Sequence, residues 1–117
     1  MLQIEKIVRD FLGSRLSCPV LLENTEKVPK RVLIEKTGGG GDYIFESTLA
    51  IQSYGASLYE ASALNSEIAS LLLKDGVEPG LLSVSGVISI ELNSNYNYTD
   101  TSTKEYRYQA VYDVIHY

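Results

Sequence analysis

The chain has 117 residues, of which 44% are hydrophobic and 21% charged, and these values are typical of a single globular domain with one core. The formal net charge of −5 argues against nucleic-acid recognition, which needs cations to replace phosphate counterions, and against an anionic membrane partner. No apolar stretch approaches the roughly 20 residues that span a bilayer, so we expect no membrane partner. From the length we expect one domain over residues 1–117.

The first part of the chain is predicted to form an amphipathic helix over residues 2–16. Its apolar side chains recur at helical spacing, namely at Ile4, Ile7, Val8, Phe11 and Leu12. Pro19 stops this pattern, and residues 20–23 form a short strand candidate.

A β-hairpin is predicted next, with strands at residues 31–37 and 43–54. The second strand carries Phe45, Leu49 and Ile51 on one face, which we expect to be buried. Between the strands stand Gly38, Gly39, Gly40, Gly41 and Asp42. Glycines have no side chains to pack, so residues 37–42 are expected to form a flexible hairpin tip. This tip is either a mobile connection or a loop that orders against a partner subunit.

Residues 57–73 predict a second helix. Ser57 and Glu60 have the spacing of a capping box, in which each side chain accepts a hydrogen bond from a free N–H of the first turn. The apolar stripe consists of Ala61, Leu64, Ile68, Leu71 and Leu72. Gly76 and Pro79 then supply a helix stop.

The C-terminal part alternates as strands do. Residues 82–92 are expected to point Ile88, Ile90 and Leu92 inward, and residues 105–117 form the last strand. Residues 93–104 are polar and are expected to form a loop. Its Tyr96 and Tyr98 serve an interface or pack back onto the sheet, two alternatives that the sequence does not separate.

The order of elements defines the fold class. Two helices and turn-connected strands predict an α+β domain, a mostly antiparallel β-sheet with two amphipathic helices packed on it.

A search for catalytic chemistry finds little. The lone Cys18 precludes an internal disulfide and is expected to be a buried, unreactive thiol, in keeping with a reducing cytoplasm. The lone His116 stands beside the last residue, where fraying makes general acid–base catalysis a poor interpretation. The glycines precede Asp42 and a strand, whereas a phosphate-binding loop needs a lysine and a helix. We expect no enzyme, no catalytic residue, no cofactor and no metal ligand.

Several short motifs, taken in order, resemble a known family. They are the glycine-rich turn Lys36-Thr37-Gly38-Gly39-Gly40, a strand ending near Tyr54, the helix with Glu60, Ala61 and Leu64, and the terminal strand with Arg107-Tyr108-Gln109. Their order and spacing resemble those of the tail terminator, or tail completion, proteins of long-tailed bacteriophages, and the resemblance covers essentially the whole chain.

This resemblance implies a structural protein of the virion tail or neck, assembled in the cytoplasm of the host bacterium. Family members form homo-oligomeric rings, typically of six subunits, that cap the tail tube and present a surface to the head connector. The implied partners are other copies of the chain, the tail-tube protein and the head–tail connector protein. On this hypothesis the interface residues are Gly38, Gly39, Gly40, Gly41, Asp42, Tyr96 and Tyr98.

Two alternatives remain open at this point. One is another neck or head-completion protein of the connector. The other is a small α+β ligand-binding or enzymatic domain, because one fold hosts many functions.

Overall fold

The computed structural model describes residues 3–73 and 80–117. Within them the chain forms two helices, five strands and one 3₁₀ turn. In chain order these are α1 (Ile4–Gly13), β1 (Val20–Leu21), β2 (Arg31–Gly41), β3 (Phe45–Gly55), α2 (Leu58–Leu73), the 3₁₀ turn (Leu81–Ser83), β4 (Val87–Asn97) and β5 (Tyr106–His116).

The five strands form one sheet in the order β1-β2-β3-β5-β4. β1 pairs with β2 in parallel, and the other three pairings are antiparallel. Both helices pack on the sheet, so the predicted α+β fold class is confirmed.

The core lies between the helices and one face of the sheet. Alternate residues of β3 and β5 point to this face, and they pack against the apolar stripes of α1 and α2. Among its buried side chains are Val8, Leu12, Ile34, Leu49, Ile51, Leu64, Ile68, Ala110, Tyr112 and Val114.

The capping box of α2 is present. The Glu60 N–H donates to Ser57 Oγ at 3.1 Å, and the Ala56 N–H donates to Glu60 Oε1 at 3.1 Å. The acidic side chain therefore returns to the residue before the cap and ties the end of β3 to the start of the helix. The predicted stop at Gly76 and Pro79 lies outside the described residues.

The glycine segment differs from the prediction, because it is strand rather than loop. β2 continues through Gly41, and its last four residues pair with β3 from Thr48 back to Phe45, after a bulge at Thr37. The turn itself is only Asp42 to Ile44. The reason is that β3 is paired with β5 along its whole length, so its other edge is already in place for the glycines to pair with. The backbone hydrogen bonds of this pairing offset the conformational entropy that the glycines lose.

The predicted loop at 93–104 is also partly wrong. β4 runs to Asn97 and takes in the first half of that segment. Bulges at Ile88 and Asn93 interrupt its pairing with β5, and each bulge shifts the alternation of faces. As a result Ile88 is turned away from the core and stays 41% exposed, whereas Ile90 packs against the core as expected. Leu92 keeps the register of Ile90 and pairs with the buried Tyr112, yet on this outer strand it stays 37% exposed.

Alanine substitutions at two glycines of the β2–β3 hairpin are expected to have unequal effects on stability. Gly41 has φ +136°, and a Cβ there would stand 2.1 Å from the Ile44 carbonyl oxygen. Gly41→Ala should therefore lower the free energy of unfolding by about 1–3 kcal/mol. Gly40 has no described atom within 4 Å of an added Cβ, and Gly40→Ala should change it by less than about 1 kcal/mol. Urea unfolding of both variants measures the difference. Equal losses would contradict this account of the hairpin.

The Tyr112 hydroxyl is buried and has no hydrogen-bond partner among the described residues. Burial disfavours the phenolate and raises the pKa of Tyr112 from 10 to about 12. The folded state therefore holds this proton to higher pH than the unfolded state, so stability is retained below pH 10 and lost as the pH rises from 10 to 12. Tyr112→Phe removes this loss and an unsatisfied hydroxyl. Thermal melting at pH 8 and pH 11 should show a smaller alkaline drop for the variant than for the wild type.

Candidate interaction surfaces

The two predicted interface segments lie at diagonal corners of the sheet. Gly41 pairs with Phe45, which lies in register with His116 of β5. Tyr96, on the opposite edge, pairs with Gln109. His116 and Gln109 are seven residues apart on β5, or ~23 Å along the strand. The structure therefore does not bring the two segments together.

The hairpin tip, defined here as Asp42, Tyr43 and Ile44, projects from the first corner. Tyr43 is 92% exposed and Ile44 is 52% exposed, and Asp42 and the neighbouring Glu46 are exposed carboxylates. Sequence reasoning selected the glycines and Asp42 but assigned Tyr43 and Ile44 to the strand. The tip thus presents an acidic and aromatic surface, and the glycines that lead to it add no side chains.

The second corner holds Tyr96 on β4 and Tyr98 just after it. Their rings meet edge to face with centroids 5.8 Å apart. The Gln109 amide donates to the Tyr96 hydroxyl, and the Arg107 guanidinium lies 4.7 Å from the centre of the Tyr98 ring. Both tyrosines therefore pack against β5, yet each keeps about two-fifths of its surface exposed, 41% and 42%.

At the same end of the sheet, Arg31 is held in place by four contacts and is only 4% exposed. Its guanidinium lies 3.8 Å from the centre of the Tyr54 ring. It donates to Asn24 Oδ1 and to the Val28 carbonyl oxygen, both at 2.9 Å, and reaches Glu105 at 3.4 Å. These contacts connect the chain before β2 to the loop before β5, and they hold the positive charge close to the surface of this end.

The polar network extends from Tyr54 to the neighbouring strand. The Tyr54 hydroxyl donates to Gln52 Oε1 at 2.9 Å and accepts from Arg107 at 3.1 Å. Gln52 in turn donates to Gln109 at 2.9 Å. Two arginines and two glutamines are thereby fixed around one buried ring.

Beside this network lies an open cleft of about 340 Å³, the basic cleft. Its lining includes Lys27, Arg31, Tyr54, Lys104, Glu105 and Tyr106. Lys27 and Lys104 form no ion pair with any side chain that the structure describes. Lys104 has φ +57°, a left-handed conformation that only a few per cent of non-glycine residues adopt. Three cations against one carboxylate make the cleft locally basic on an acidic molecule.

The lone cysteine, Cys18, is partly buried, and the lone histidine, His116, is fully buried. Burial raises the pKa of the Cys18 thiol, and nearby Lys30 only partly offsets this, so the reactive thiolate is disfavoured. His116 does not lie at a frayed end. It is paired on both sides, 1% exposed, with Nε2 2.8 Å from Ser47 Oγ and Nδ1 3.0 Å from a backbone carbonyl.

Within residues 3–73 and 80–117, no group of three or more acidic, histidine or cysteine side chains could hold a metal ion. The helices of this part of the chain are also too short or too polar to cross a membrane. A search against protein-family models found no match, and a search of curated proteins found none either.

Arg31 is expected to stabilise the fold as well as to add positive charge to the cleft. Arg31→Ala leaves the Val28 carbonyl and the Asn24 amide oxygen without their donor and should lower the free energy of unfolding by about 1–3 kcal/mol. Arg31→Lys should recover little of this, because an ammonium cannot reproduce the fork of a guanidinium. Lys27→Ala, at an exposed neighbour, is the control and should stay within about 0.5 kcal/mol of the wild type. Urea unfolding midpoints provide the measurement.

Proposed function

We propose that this protein is a structural subunit of the virion, a tail terminator whose copies form a ring of six subunits on the end of a bacteriophage tail tube. The ring stops tube growth and offers a surface for the head connector. The resemblance in the order of sequence motifs motivates this function. The observation that supports it best is that one sheet carries two chemically different exposed surfaces at its opposite ends.

Different surfaces at opposite ends favour head-to-tail assembly. A two-fold dimer needs one surface that complements itself, whereas a head-to-tail contact joins two unlike surfaces and either closes into a ring or continues as a filament. The acidic hairpin tip does not complement itself, because like charges repel. A closed ring is the arrangement that a terminator requires.

The edges of the sheet favour contacts between side chains over extension of the sheet. Among the described residues, no strand flanks β4 on its outer side, and β1 covers only Val32 and Leu33 of β2. These outer strands carry bulges at Thr37, Ile88 and Asn93, and bulges hinder the backbone pairing of one sheet edge with another. Copies of the chain therefore meet through their exposed ends.

A different neck or head-completion protein would also use such a ring, and the two proposals differ in the partner that the ring binds. Binding to isolated tail tubes supports the terminator, and binding to the connector alone supports the neck protein. A small ligand-binding domain is the remaining alternative. The basic cleft is the feature that favours it, and a low-molecular-mass ligand that saturates the cleft without any assembly would support it.

The ring is tested by light scattering coupled to size-exclusion chromatography. The purified chain is measured alone at high concentration and after addition of the tail-tube protein encoded in the same genome. We expect a discrete species of about six subunits, or capped tube ends in electron micrographs when assembly needs the tube. A chain that stays monomeric under both conditions, with tubes that keep growing in its presence, would contradict the proposal.

A further inference from the structure

We propose that the hairpin tip of one subunit docks in the basic cleft of the next, which makes tip and cleft the two halves of the contact between copies of this chain. This inference rests on the proposed function, because it names the contact that a ring of these subunits would use.

Charge is the first reason. The hairpin tip carries the exposed Asp42 with Glu46 beside it, and the cleft carries Lys27 and Lys104, which lack ion-pair partners among the described residues. On a molecule with net charge −5, a cleft with an excess of cations is a site where an acidic segment is attracted electrostatically. Such complementarity guides encounter and sets the register of the two subunits.

The aromatic side chain at the tip is the second reason. Tyr43 is 92% exposed, and tyrosine at such positions is enriched in interfaces because it combines a large apolar ring with a polar end. The cleft offers the exposed ring of Tyr106 and the stems of its lysines as apolar walls, with the buried Tyr54 behind them. Its volume of about 340 Å³ is at the small end of ligand pockets, a size suited to a tip of a few side chains.

Position along the sheet is the third reason. The hairpin tip lies beyond the end of the β3–β5 ladder at which Phe45 pairs with His116. The cleft lies at the other end, at which Gly55 pairs with Tyr106. Ten residues of β3 separate these ends, or ~33 Å. A tip cannot reach the cleft of its own chain, so a tip that docks in the cleft comes from a second copy, and the contact is head to tail.

The test is a charge swap, and its readout is the dissociation constant of the assembled ring in a light-scattering dilution series. Asp42→Lys and Lys104→Glu, each alone, should weaken association by about tenfold or more, because each places like charges across the contact. The double variant carries the pair in reversed order and should return association to within about threefold of the wild type. Recovery of this kind requires the two residues to meet.

The control is Lys6→Glu, which makes the same change in net charge as Lys104→Glu but on the exposed side of α1, and it should leave the ring intact. Thermal melting of all variants should match the wild type, since Asp42, Lys104 and Lys6 make no side-chain ion pair within the described residues.

The outcomes separate this inference from the proposed function. If the wild type forms rings but both single variants assemble normally, the tip–cleft contact is wrong and the ring stands. If both single variants weaken the ring and the double variant does not recover it, direct contact is again refuted. If the wild type forms no ring even with tube protein, the proposed function and this inference both fall.

Discussion

The rest of the structure depends on the ladder between β3 and β5. Eleven consecutive residue pairs join Phe45–Gly55 to Tyr106–His116 without a bulge, whereas both outer long strands are interrupted. Each central strand also has a second neighbour over most of its length, β2 beside Phe45–Tyr54 and β4 beside Tyr108–His116, so most of its backbone groups are paired. The ladder therefore sets the register in which the helices, the glycine segment and the polar network are placed.

This register gives the sheet two unlike faces. Leu49 and Tyr112 meet on the side that the helices cover. On the other side, pairs of polar residues face each other, and the Thr48 hydroxyl donates to Asp113 at 3.0 Å. Cross-strand hydrogen bonds of this kind add to sheet stability and fix side-chain orientation. The uninterrupted ladder beneath this face sets the separation between the surfaces at the two ends.

Local pattern was enough to predict the features that depend on few residues. The helix over 57–73 could be predicted because Ser57 and Glu60 act within one turn. The buried face of β3 could be predicted because Leu49 and Ile51 stand at alternate positions of the strand. The failures concern features that depend on distant partners. The glycines became strand because β3 was already held by β5, and Ile88 became exposed because a bulge, invisible to alternation, shifted the face.

The candidate surfaces were harder to predict for the same reason. The basic cleft joins Lys27 to Lys104, which are far apart in sequence and are brought together only by the pairing of β2 with β3 and of β3 with β5. A tip of three residues in such a cleft buries far less area than the roughly 1,200 Å² of a stable interface, so one contact between free subunits is weak. If the proposed function holds, subunits side by side on a tube end would experience a high effective concentration, and ring closure would add a further contact. A small, polar contact would therefore let subunits remain dispersed in solution and assemble where a tube presents them to one another.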